Sequence, residues 1–66
     1  MSSMDDLFTH YFDQLGMAYH GQSKEELQKL LEDIPKAYEK NKLCTDHYIA
    51  LMNLARTQLR ILTEEN

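Results

Sequence analysis

The sequence has one cysteine, one proline, two glycines and no tryptophan. A lone thiol, Cys44, rules out an intrachain disulfide, the usual staple of small secreted scaffolds. A reducing, cytoplasmic setting is therefore expected. No apolar run approaches the ~20 residues that cross a bilayer. The opening Met1-Ser2-Ser3-Met4-Asp5-Asp6 has neither the basic nor the apolar region of a secretory signal, so no membrane partner is expected. Bases are also scarce, with seven Lys and Arg against eleven Asp and Glu, for a formal charge of −4. The deficit is concentrated at one end. Residues 1–33 hold seven acids and two bases, whereas residues 34–66 hold four acids and five bases. Such a chain repels nucleic acid more than it attracts it, and nucleic acid is an unfavoured partner.

What is present is apolar residue at helical spacing. Hydrophobic residues make up 42% of the 66 positions, too many for a disordered tail. One small domain spanning residues 1–66 is the natural unit. A chain this short hides only about 60% of the surface its unfolded form exposes, so an isolated copy is marginal and association is a ready remedy.

Three amphipathic patterns follow one another. The first runs from Met4 to Tyr19 on Met4, Leu7, Phe8, Tyr11, Phe12, Leu15 and Tyr19, with Ser3 as N-cap and Asp5 and Asp6 favoured by the helix dipole. Gly16 weakens its last turn, so the helix ends either at Leu15 or at His20 with Gly21 as C-cap. The second opens on Ser23-Lys24-Glu25-Glu26, a capping box. Its stripe is Leu27, Leu30, Leu31, Ile34 and Tyr38. The stripe keeps its phase across Pro35, which points to one kinked helix ending near Lys40. The third follows the turn Asn41-Lys42-Leu43-Cys44, with Thr45 as N-cap and Asp46 in the first turn. It carries Tyr48, Leu51, Met52, Ala55, Leu59 and Leu62 to about Thr63. A second line, Leu54 and Ile61 with Ala50 and Thr57 alongside, widens the apolar arc to about half the helix surface. The expected fold is an all-α bundle in which the second and third helices form an antiparallel hairpin and the first packs across it.

The residues able to carry chemistry are sparse. Cys44, Asp46 and His47 are competent zinc ligands, but Cys-x-x-His is half a site and no matching pair exists, so no metal and no cofactor are expected. Cys44 as a nucleophile lacks a Gly-rich oxyanion loop; the plainer expectation is a small apolar residue stapled onto Ile49. The paired carboxylates Asp5-Asp6, Glu25-Glu26, Glu32-Asp33 and Glu64-Glu65 diverge by about 100° on a helix and cannot share a proton. No catalytic residue is expected. Arg56 and Arg60, with Asn53 nearby, are spaced to read a DNA groove, but no basic cluster supplies phosphate contacts. The aromatics Phe8, Tyr11, Phe12 and Tyr19 suit either a core or an interface.

The tight turn and long amphipathic helix from Leu43 to Leu62 resemble those of small helical adaptors: secretion-needle co-chaperones, nucleoid co-repressors and phage inhibitors. The likeness lies in periodicity and capping and carries no residue role. The reading that follows is a non-enzymatic protein-binding regulator, forming a homodimer, with Leu51, Leu54, Gln58, Ile61, Phe8, Tyr11 and Phe12 as contact residues. Two alternatives are a DNA-associated regulator using Asn53, Arg56 and Arg60, and an acidic DNA mimic using Asp5, Asp6, Asp13, Glu32 and Asp33.

Overall fold

The computed structural model describes residues 3–64, and side chains from Asp6 to Glu64. Three helices follow in order: α1 (Ser3–His20), α2 (Lys24–Glu39) and α3 (Thr45–Glu64). No strand occurs among the described residues. The α2–α3 contact is the most extensive, and α1 touches both. The capping and dipole roles expected of Ser3 and Asp5, and any packing by Met4, lie outside the described side chains.

The chain runs up, down and up. Leu7 lines one groove with Ala37 and Lys40, and His10 and Gln14 line another with Glu26 and Lys29, so α1 and α2 are antiparallel. Tyr38 stacks on Tyr48 at 4.2 Å between ring centroids, and its hydroxyl shares a 3.0 Å hydrogen bond with Thr45 Oγ1. Those contacts close the α2–α3 hairpin. As a result α1 and α3 run in the same direction. The overall extents of 40 × 18 × 16 Å fit a rod with nearly aligned helix axes.

The core holds Leu15 and Ala18 from α1, Leu27, Ile34 and Ala37 from α2, Leu43 from the turn, and Leu51, Met52, Ala55 and Leu62 from α3. Around it, Leu7, Phe8, Tyr11, Tyr19, Leu30, Leu31, Tyr48, Leu54 and Leu59 are half-buried. Phe12 departs from the expected stripe and is 53% exposed. Leu15 and Ala18 centre the buried arc, and Phe12 lies beyond its edge.

Both helix corners use the same device. At the end of α1, Ser23 N donates to Ala18 O at 2.9 Å and Gln22 N to Tyr19 O at 3.0 Å. At the end of α2, Lys42 N donates to Ala37 O and Asn41 N to Tyr38 O, each at 3.0 Å. These are Schellman pairs, and each needs one left-handed residue. The left-handed residues are Gln22 (φ 54°) and Asn41 (φ 61°). Gly21 is therefore not the left-handed cap; neither glycine has positive φ. The first helix passes through Gly16 and ends at His20, the longer of its two expected lengths.

Ser23 serves both helices. Its N–H closes α1, while its Oγ accepts from Glu26 N at 3.3 Å and its carbonyl from Leu27 N at 3.2 Å. The capping box is thus half made: the Ser23 N–H that Glu26 would reach is already donated to Ala18. Helix α2 continues without a break through Pro35. The cap of α3 falls one residue earlier than expected. Cys44 Sγ accepts from His47 N at 3.5 Å and Cys44 O from Tyr48 N at 2.9 Å, leaving Thr45 inside the helix and bonded to Tyr38. The staple of Cys44 onto Ile49 gives way to this arrangement, with Ile49 49% exposed. The residues in the staple register are instead Leu43 and Tyr48, both part of the apolar cluster.

Candidate functional site: the α1–α3 edge

The flank where α1 meets α3 gathers most of the expected contact residues. Phe8 stacks on the His47 ring at 4.1 Å, with an interplanar angle of 25°. Phe12, one turn further along α1, lies 6.1 Å from Phe8. Because the two helices run in parallel, Phe12 stands at the level of Ala50 to Leu54. Leu54 is half-buried against the core, and Ile61, two turns on, is half-buried outside the core cluster. Phe8, Phe12, Leu54 and Ile61 therefore share one side of the rod.

Of the other expected contact residues, Leu51 and Tyr11 fall elsewhere and Gln58 is enclosed beside the edge. Leu51 is 1% exposed and belongs to the core. Tyr11 is turned to the opposite flank, the α1–α2 groove of about 360 Å³, which it lines with His10, Gln14, Glu26, Lys29, Leu30 and Asp33. Burial there, with the negative charge of Asp33 second, holds the Tyr11 phenol above its ordinary value of 10.0. Gln58 is also enclosed, at 8% exposure. Periodicity alone would not have enclosed it, since it is polar; its position three residues after Ala55 and four before Leu62 was the available signal.

Two enclosed polar atoms on this side of α3 have no hydrogen-bond partner among the described residues: Gln58 Oε1 and His47 Nδ1. Each such atom costs about 1–3 kcal/mol relative to a solvated one. Such costs concentrate where function, rather than folding, sets the residue.

No group of three His, Cys, Asp or Glu among the described residues is placed to hold a metal ion. His47 faces Phe8, and the Cys44 sulfur faces the first turn of α3. Asn53, Arg56 and Arg60 are exposed on the outer face of α3, near the exposed Ile49. The acids of the mimicry alternative do not form one row: Asp33 lines the α1–α2 groove, whereas Asp13 belongs to the outer face of α1. The Asp5 side chain lies outside the described residues. No described helix is long and apolar enough to cross a membrane.

No family model matches this sequence, and comparisons with curated proteins and with solved structures return no match.

Proposed function

We propose that the chain is a non-enzymatic protein-binding regulator whose working surface is the α1–α3 edge. The observation that carries this reading is the alignment of Phe12, half-exposed, with Leu54 and Ile61 on one side of the rod, beside the unsatisfied Gln58 oxygen. Aromatic residues, phenylalanine among them, are enriched at the core of protein contacts. The fitting partner is an apolar groove rimmed by lysine and arginine. The acidic first half of the chain steers the encounter, and burial of the edge holds the complex.

The test uses the full chain as bait in extract of its native cells, with variants at both flanks. Ile61→Glu and Leu54→Glu should keep the helical spectrum and lose the protein retained by the wild type. Glu32→Lys, an exposed change on α2, should retain it. Equal retention by all of these variants would refute the assignment of the edge.

A further inference from the structure

We propose that the outward face of α1 is a self-recognition surface, on which a second copy of this chain crosses antiparallel at Gly16. The face adjoins the edge assigned above through Phe12 and stands on separate observations. Phe12, Asp13, Gly16, Met17 and His20 line a shallow, open depression there. Met17 is 68% exposed, more than any other large apolar side chain described.

Gly16 has no internal reason to be glycine. Its φ is not positive, and a Cβ built on it meets nothing within 4 Å. A mid-helix glycine costs about 1 kcal/mol relative to alanine. What the missing side chain leaves is a flat saddle between Phe12 and Met17, where another backbone can approach closely.

The occupant that fits is a second copy because knob and saddle occur on the same patch. In a two-fold pair, each Met17 side chain covers the saddle of the other copy, as an isologous contact requires. The charge order along the helix selects the antiparallel direction. Acids come first, at Asp6 and Asp13; His20 follows, and Lys24 stands just past the corner. An antiparallel crossing at Gly16 sets Asp13 beside the other copy's His20. A parallel crossing sets acid against acid.

Only the last two to three turns of each α1 overlap in such a pair. The buried area then falls below the roughly 1,200 Å² of a standard interface, which makes the dimer weak and concentration-dependent.

Sedimentation equilibrium of the purified full chain, between about 10 µM and 1 mM, spans the weak range. The wild type should show a reversible monomer–dimer equilibrium. Gly16→Leu should fold at least as stably by circular dichroism yet dimerise at least tenfold more weakly, because its side chain occupies the saddle. Met17→Glu should weaken the dimer similarly. Asp13→Lys should weaken it, and adding His20→Glu should restore it, which only a crossed pairing of these positions explains. A wild type that stays monomeric throughout would overturn the proposal. So would association that survives Gly16→Leu and Met17→Glu but is lost in Leu54→Glu, since that result would move the dimer to the α1–α3 edge. Loss of the extract partner in Ile61→Glu with the dimer intact would leave both assignments standing.

Discussion

Replacing Gln58 by methionine should stabilise the protein. Methionine is nearly isosteric with glutamine and equally unbranched, so the packing around Leu51, Ala55 and Leu62 can persist. The change removes the enclosed Oε1, which has no hydrogen-bond partner among the described residues. An unsatisfied buried polar atom costs about 1–3 kcal/mol. Only the oxygen is orphaned, so the lower end of that range applies, about 1 kcal/mol. In a domain of this size that raises the melting temperature by about 4–8 °C. Thermal and urea denaturation followed by circular dichroism measure it, and an unchanged urea slope shows that the gain lies in the folded state. A less stable variant would refute the reasoning, for it would mean that the amide contributes more to packing or hydrogen bonding than the orphaned oxygen costs.

Other consequences are simpler to check. Gln22→Gly removes the left-handed strain of a non-glycine residue and should add about 1 kcal/mol of stability by urea denaturation; Ser23→Ala should remove about 1 kcal/mol, since one side chain caps α2. Cys44→Ser supplies a stronger acceptor to His47 N and should raise stability by about 0.5 kcal/mol, with the helical spectrum unchanged. In an alkaline titration followed by tyrosinate absorbance, Tyr11 should ionise above the ordinary 10.0, and Asp33→Asn should lower that step. The sign follows from linkage. With the folded value raised, the unfolded chain releases its proton first, so the Tyr11 contribution holds below pH 10 and is lost as pH rises through the folded value. Tyr11→Phe should flatten that part of the stability curve.

The helical architecture was readable because three separate 3.6-residue patterns are bounded by turn and capping residues. Leu27, Ile34 and Tyr38 keep phase across Pro35, and one helix indeed spans them. The corners were harder. Asn41 tolerates left-handed backbone and sat in an expected turn, but Gln22 has no such preference, and the neighbouring Gly21 drew the expectation to itself. Thr45 outranks Cys44 as an N-cap by side-chain chemistry; a sulfur acceptor prevails because Thr45 Oγ1 is engaged by Tyr38. At the candidate edge, Leu54 and Ile61 were visible as a line off the main stripe. Leu51 and Gln58 were placed among the contacts because periodicity gives phase, not depth. Gly16 was not legible as part of a surface, because the pattern shows which residues share a face, while the open space above Gly16 appears only once the helices are packed.

On the proposed function, one long edge of the rod, and not the exposed face of α2 at Glu32, meets another protein. Photo-crosslinking tests it most directly, with a photoreactive residue placed at Phe12 or Ile61 on the edge and at Glu32 on α2. A discrete adduct to one other protein is expected from positions 12 and 61 and none from position 32. Adducts from position 32 alone, or equally from all three positions, would contradict it.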